Sequence, residues 1–124
     1  MNKMFVVGGI AALALSTVSF SVAQAGAEAK CKACHSFENK NMTGPGLAGV
    51  YGRKAGTVEG FQYSDAVKSG KWSWDDEHLK AFLEDSNAAV QKFTGDAGAK
   101  SKMPPQKLTG EKADEVINFL KGLK

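Results

Sequence analysis

The sequence has few of the residues that mark several common protein classes. Its 124 residues include two cysteines, three prolines and a single arginine, Arg53. Two cysteines can form one disulfide or half of a four-ligand zinc site, but not a cysteine framework. One arginine and a net charge of +3 provide too little clustered basic charge for a typical nucleic-acid-binding protein. The chain is also too short for a multidomain enzyme, and its mean hydropathy of −0.26 is too polar for a multi-span membrane protein.

The sequence has one long apolar run, and this run lies at the N-terminus. Lys3 supplies a positive charge, the stretch from Phe5 to Phe20 is uncharged, and Ala23-Gln24-Ala25 is a small-x-small cleavage pattern. We therefore predict a signal peptide over residues 1–25, cleaved after Ala25, and a mature domain of residues 26–124 in the periplasm. The alternative is an uncleaved membrane anchor, because the run is almost long enough to span a bilayer, although polar residues dilute it.

Residues 26–124 show helical patterns and no convincing strand alternation. The segment from Asn39 to Tyr63 contains glycine too often for regular structure. The first predicted helix has Ser73 as its N-cap and carries Leu79, Phe82 and Leu83 on one face. A short helix is predicted over Asn87–Lys92. The last predicted helix is capped by Thr109, ends before Gly122 and has the apolar stripe Ala113, Val116, Ile117 and Leu120. Pro104-Pro105 predicts an extended segment before the last of them. The sequence thus predicts an all-α domain with long loops.

The run Cys31-Lys32-Ala33-Cys34-His35 is the part of the sequence that indicates chemistry. Two thiols at this spacing can add to the two vinyl groups of a porphyrin, and the adjacent imidazole can then ligate the iron; this spacing is the signature of covalent haem c attachment. A zinc site would need two more ligands, and His78 is the only histidine left. A thiol–disulfide oxidoreductase is the more serious alternative, although such a thiol pair usually follows a strand in an α/β domain.

The second axial ligand of the iron decides between an electron carrier and a ligand-binding haem protein. The candidates are Met42, Met103, His78, a lysine, or no protein ligand at all. Met42 follows His35 by only seven residues, too short a loop to pass easily around a porphyrin. His78 lies among acidic residues in the first turn of a predicted helix. We favour Met103, because the two prolines after it stiffen a segment that can hold its thioether in place.

Over residues 30–124 the sequence resembles the class I cytochromes c, and among them the mitochondrial-like bacterial group. The motifs that carry the resemblance are Gly44-Pro45-Gly46-Leu47, Gly52-Arg53-Lys54-Ala55-Gly56, Gly60-Phe61-Gln62-Tyr63-Ser64-Asp65-Ala66, Trp74 and Lys102-Met103. The resemblance implies the small cytochrome c fold around one haem. It also implies that the Pro45 carbonyl orients His35, and that Arg53, Tyr63 and Trp74 neutralise or hydrogen-bond a haem propionate.

The sequence departs from the family pattern at two places that affect the fold and the site. The family usually has a helix of about a dozen residues before the haem cysteines, whereas cleavage after Ala25 leaves only five residues before Cys31, far fewer than the roughly 12–15 that an isolated helix needs. Phe82 stands where a tyrosine near the methionine ligand is frequent. We therefore expect either a different packing of the last helix or a retained signal segment, and no hydroxyl near the sulfur.

The predicted function is single-electron transfer by a monohaem protein that is not an enzyme, since His35 and Met103 fill both axial positions. The alternatives are an exported thiol–disulfide oxidoreductase and a haem-based ligand sensor or peroxidase. The expected partners are redox proteins such as a membrane cytochrome bc complex, a terminal oxidase of a respiratory chain or a photosynthetic reaction centre. Lysines 30, 32, 102 and 107 flank the two haem-bearing segments and could orient docking. We expect a monomer that contacts a membrane only if the signal segment is retained.

Overall fold

The computed structural model describes Gly9 and residues 26–124. The predicted signal peptide, apart from Gly9, lies outside the described residues. The helices are a 3₁₀ helix at Ala27–Ala33, α1 at Asp65–Lys68, α2 at Asp76–Glu84, α3 at Ser86–Thr94 and α4 at Gly110–Lys121. No strand occurs among these residues, only one antiparallel backbone pairing between Lys54 and Ser73, so the predicted all-α class is confirmed. Within the same ranges, no helix has both the length and the apolar character to cross a membrane.

The N-cap of helix α2 lies two residues later in the chain than predicted. Asp75, not Ser73, is the N-cap, and its carboxylate accepts a hydrogen bond from the His78 backbone N–H at 2.9 Å. Ser73 does not cap the helix because Trp74, the residue that follows it, is paired with the long loop. The Trp74 N–H donates to the Arg53 carbonyl at 2.9 Å and the Trp74 carbonyl accepts from the Gly52 N–H at 2.6 Å, contacts between distant segments that local sequence does not show. The predicted apolar face is correct, since Leu79 and Leu83 are buried and Phe82 packs against the core.

The two helices that follow α2 agree with the predicted positions, with small differences at their ends. Helix α3 extends beyond the predicted Asn87–Lys92 at both ends, and the Asp85 carboxylate caps it by accepting from the Ala88 backbone N–H at 3.0 Å. Thr109 occupies the N-cap position of α4, but its side chain makes no capping hydrogen bond. The apolar stripe of α4 is fully buried: Ala113, Val116, Ile117 and Leu120 are each at most 4% exposed.

The 3₁₀ helix is the first helix of residues 26–124, and it contacts the last one. The 3₁₀ helix packs against α4, with Ala27 and Cys31 turned to the core. Just after it, the ring of Phe37 meets the ring of Phe119 of α4 edge-on, with centroids 4.8 Å apart. The 3₁₀ helix and Phe37 therefore cover one face of α4.

The region from Asn39 to Tyr63 is irregular, as predicted, and one short helix after it was not predicted. Ser64 caps the single turn of α1 by accepting from the Val67 backbone N–H. Gly56 has φ of +73°, and a side chain there would meet the backbone of Val67 and Lys68, so the loop lies directly against α1. This close approach fixes the loop that carries Arg53.

Candidate functional site

One cleft opens among the 3₁₀ helix, the long loop, α2, the segment before α4, and α4 itself. The space between its walls is about 1240 Å³, a figure that includes open solvent at the mouth of the cleft. Its apolar lining includes Leu47, Val50, Val67, Leu79, Leu83 and Leu120. All of these residues also belong to the hydrophobic core, so much of the core forms the wall of the cleft.

The structure brings to this cleft every residue that the sequence analysis assigned to haem attachment, iron ligation or propionate binding. These residues are Cys31, Cys34, His35, Pro45, Arg53, Tyr63, Trp74 and Met103. The less favoured ligand candidates are elsewhere: Met42 is 47% exposed outside the cleft, and the His78 ring donates from Nδ1 to the Asp75 carboxylate at 2.7 Å. The individual roles of these residues stay predictions, but the fold places all of them on the wall of one cleft.

Cys31 and Cys34 lie on one face at the end of the 3₁₀ helix, both as free thiols. A 3₁₀ helix has three residues per turn, so side chains at i and i+3 align. Burial raises the pKa of the Cys31 thiol, and the nearby Glu28 carboxylate raises it further. A thiol–disulfide oxidoreductase needs the opposite shift, toward a thiolate at neutral pH. The raised pKa of Cys31 therefore gives no support to a redox role for this thiol.

The His35 imidazole is held by the turn that follows it. Its Nδ1 donates to the Pro45 carbonyl oxygen at 2.7 Å, and the Gly44 backbone N–H donates to the Cys34 carbonyl at 2.7 Å. A carbonyl oxygen can only accept, so Nδ1 carries the proton and the lone pair is on Nε2. A ring with this tautomer and a fixed orientation is prepared to bind a metal through Nε2.

Met103 lies in an irregular segment that two serines fix at the main chain. The Ser86 hydroxyl donates to the Met103 carbonyl oxygen at 2.6 Å, and the Met103 N–H donates to the Ser101 hydroxyl at 3.1 Å. The Met103 side chain lines the cleft. A thioether is a soft ligand for haem iron, so this position suits the second axial ligand.

Arg53 is a half-buried cation on the cleft wall. Its guanidinium donates to the carbonyl oxygens of Ala48 at 3.1 Å and Gly46 at 3.3 Å, and burial lowers its pKa. Across residues 26–124, no carboxylate forms a salt bridge with it. Tyr63 accepts from the Val58 backbone N–H at 3.1 Å, which leaves its own hydroxyl hydrogen available. A buried cation and a donor on the same wall suit an anionic group of a ligand.

Two of the four predicted rim lysines join separate segments at the edge of the cleft. Lys30 Nζ donates to the Gln106 carbonyl at 3.1 Å, and Lys102 Nζ donates to the Gln62 carbonyl at 2.9 Å. Both residues line the cleft, whereas Lys32 lies over the Phe37 ring, 5.5 Å from its centroid. Lys30 and Lys102 thus combine exposed positive charge with a structural contact.

The residues of the cleft fit a covalently bound haem. Paired thiols, an imidazole with Nε2 free, a thioether from a distant segment and an arginine without a carboxylate partner all face one apolar space. Zinc fits less well, because residues 26–124 contain no group of three or more His, Cys, Asp or Glu side chains that could hold a metal ion.

Sequence analysis missed two residues that shape this site. A Cβ on Gly44 would collide with the His35 ring, with 2.6 Å to Nδ1 and 2.8 Å to Nε2. Ser86 is completely buried beside the Met103 segment. The motif around Gly44 was a usable signal for the first residue. Nothing local marks Ser86, because its partner lies 17 residues away in the chain.

Comparison with known proteins gives consistent matches. A family model described as "Cytochrome c" matches residues 22–124. A cytochrome c2 from Rhodospirillum rubrum is 32% identical over an alignment of 135 positions, which covers the whole of both chains. A cytochrome c2 iso-2 from Magnetospirillum molischianum is 55% identical over 62 residues, which cover 48% of this chain and 63% of that relative. The solved structure of cytochrome c2 from Rhodospirillum centenum is similar with a TM-score of 0.71 and 36% identity, covering 79% of this chain and 92% of that one.

Proposed function

Because the chain belongs to the cytochrome c family, we propose that it carries single electrons between redox proteins and that it is not an enzyme. The resemblance read from the sequence motifs is thereby confirmed, as is one covalently bound haem c as the cofactor. The observation that supports the carrier function most strongly is that His35 and Met103, from opposite ends of the domain sequence, line the same cleft.

The haem supplies reversible one-electron chemistry at its iron when it is bound. Cys31 and Cys34 would attach it through thioether bonds, and the Nε2 of His35 and the sulfur of Met103 would ligate the iron. With the iron held by these two side chains, substrates and small ligands would be kept off the metal. The apolar walls would keep water away from the haem and would favour a comparatively positive reduction potential.

A haem propionate would be neutralised or hydrogen-bonded by Arg53, Tyr63 and Trp74. Arg53 would provide the opposite charge, and the Tyr63 hydroxyl a hydrogen bond that its contact with Val58 leaves free. Trp74 is 8% exposed, and its ring packs edge-on against Phe82 with centroids 4.8 Å apart, so its position is fixed by packing. An anion in an apolar cleft needs such partners to remain charged.

The comparisons give no support to a thiol–disulfide oxidoreductase or to a haem-based sensor or peroxidase. We further propose that the protein works in the periplasm as a monomer, after removal of residues 1–25. The small-x-small pattern before Gly26 supports this proposal. A retained signal segment would instead tether the same domain to the membrane.

Gly44 provides a test of how the proposed iron ligand is held. Gly44→Ala should lower stability by roughly 2–4 kcal/mol, because the new Cβ forces the His35 ring or the Pro45 turn to move. At about 4–8 °C per kcal/mol for a domain of this size, the loss is readily measured by thermal unfolding of the haem-containing protein. Gly98→Ala is the matched control, since its new Cβ meets nothing closer than 3.4 Å. Equal melting temperatures of the two variants would contradict the tight packing on His35.

The electron-carrier function is tested by transfer kinetics with isolated partners: a membrane cytochrome bc complex, a terminal oxidase or a reaction centre. We expect the bimolecular rate to fall as salt rises toward physiological strength, where the Debye length is about 8 Å, because rim lysines act mainly on association. Failure to exchange electrons with any such complex would contradict the proposal.

Charge reversal locates the docking surface. Lys102→Glu should slow transfer more than Lys124→Glu, which changes the charge equally at the C-terminus. Lys102→Glu also removes the hydrogen bond from Lys102 to the Gln62 carbonyl, so a second rim variant, Lys32→Glu, is measured in parallel. Lys32 is exposed, and its ammonium makes no hydrogen bond within residues 26–124. Equal rates in the three variants would mean that the lysines serve solubility and that docking is apolar.

A further inference from the structure

The first turn of α3 is hydrogen-bonded to the segment that carries Met103. Ser86 Oγ donates to the Met103 carbonyl oxygen at 2.6 Å, and the Asn87 side-chain oxygen accepts from the Ser101 N–H at 3.0 Å. Ser101 in turn accepts the Met103 N–H at 3.1 Å. Both main-chain polar groups of Met103 are therefore bound by serine hydroxyls, one of them on a regular helix.

Ser86 is unusual for its place in a helix. A serine at a helix start commonly caps the helix, but here Asp85 does so by accepting from the Ala88 N–H. The Ser86 hydroxyl is thus free for another partner, and the residue is 0% exposed. A hydroxyl in such a low-dielectric setting forms a stronger hydrogen bond than one in water, and it is costly to bury without a partner.

Helix α2, which also lines the cleft, makes no hydrogen bond to Met103 within residues 26–124. The residues of α2 that line the cleft are Leu79, Phe82 and Leu83, all without a hydrogen-bonding group. Phe82 stands where the family pattern often has a tyrosine, so the hydroxyl near the methionine is missing. In the part of the chain that the structure describes, the polar contacts to the Met103 main chain come from Ser86 and Ser101.

We propose that Ser86 is a positioning residue for the second iron ligand. By fixing the Met103 carbonyl to α3, it would hold the thioether toward the cleft, where the sulfur would keep external ligands off the haem iron. The inference rests on the proposed function, with Met103 as the ligand. Partners that orient a metal ligand commonly change metal binding by 10–100-fold when removed, and we expect an effect of that size here.

The test is cyanide binding to the ferric haem protein and carbon monoxide binding to the ferrous one, together with the weak far-red band of ferric thioether ligation. Ser86→Ala should raise the apparent affinity for cyanide by about 10–100-fold and weaken the far-red band. Val90→Ala is the matched control, because Val90 is a completely buried α3 residue that does not line the cleft. It should lower the melting temperature but leave ligand binding and the band unchanged.

The outcomes separate the inference from the function on which it rests. If Met103→Ala retains the far-red band, the ligand assignment fails and the inference with it. If Met103→Ala loses the band while Ser86→Ala binds cyanide no more tightly than Val90→Ala, the positioning role alone is wrong. If Ser86→Ala gives no folded protein, Ser86→Cys is measured in the same way, because a thiol keeps a side chain of similar size but is only a weak hydrogen-bond donor. Cyanide binding equal to that of the unaltered protein then overturns the proposal.

Discussion

Replacing both Cys31 and Cys34 with alanine should yield a haem-free chain that is largely unfolded. Much of the hydrophobic core is also the wall of the cleft, so without the attached haem these apolar side chains have no partner across the space. A group that binds only the folded state stabilises it, and this stabilisation is lost when attachment is impossible. Far-ultraviolet circular dichroism should show most of the helical signal gone, and heating should give no cooperative transition.

The control for this experiment changes the same segment but keeps both thiols. Lys32 and Ala33 lie between the cysteines and are exposed, so a Lys32→Ala, Ala33→Ser double variant should attach haem and melt cooperatively. A pyridine haemochrome spectrum reports attachment in each protein. A well-folded, haem-free Cys31→Ala, Cys34→Ala variant would contradict the role of haem as part of the core.

Met103→Ala should open the iron to external ligands. The ferric protein should lose its far-red thioether band, the ferrous protein should bind carbon monoxide, and the reduction potential should fall. Cyanide affinity should rise by more than the roughly 10–100-fold that follows from losing an outer partner of a ligand, since here the ligand itself is removed. Absorption spectra during ligand titration measure both the lost band and the new affinity.

Met42→Ala is the control for this prediction. Met42 is 47% exposed, and its side chain lies outside the cleft, so the variant should keep the far-red band and exclude carbon monoxide. If Met42→Ala lost the band and Met103→Ala retained it, the assignment of the second ligand would be wrong.

The features predictable from the sequence were those that depend on neighbouring residues. The Cys31–His35 run, the apolar stripe of α4 and the glycine-rich loop each occupy one short stretch, and the spacing within that stretch decides the structure. The resemblance then added Pro45, Arg53, Tyr63 and Trp74, which the loop brings to the same cleft.

The features that were missed depend on contacts between distant segments. The backbone pairing of Trp74 with Arg53 and Gly52 moved the cap of α2 to Asp75, because Trp74 is held in that pairing and is not part of the helix. The bond from Ser86 to Met103 also joins parts of the chain with no common pattern. Periodicity does not register such contacts, which arise only from the packed fold.

The cleft requires nearly the whole domain, whereas the attachment motif requires only one short segment. The lining runs from Lys30 to Leu120, so the binding space exists only when nearly the whole domain has condensed. The attachment motif is five consecutive residues near the start of the domain, and it is complete in an unfolded chain. Cofactor attachment can therefore precede folding and supply the nucleus on which later segments collapse. If the haem-free chain is as unfolded as expected, a molecule that misses this step would be exposed to proteolysis, and cellular quality control would remove it without a dedicated check for haem.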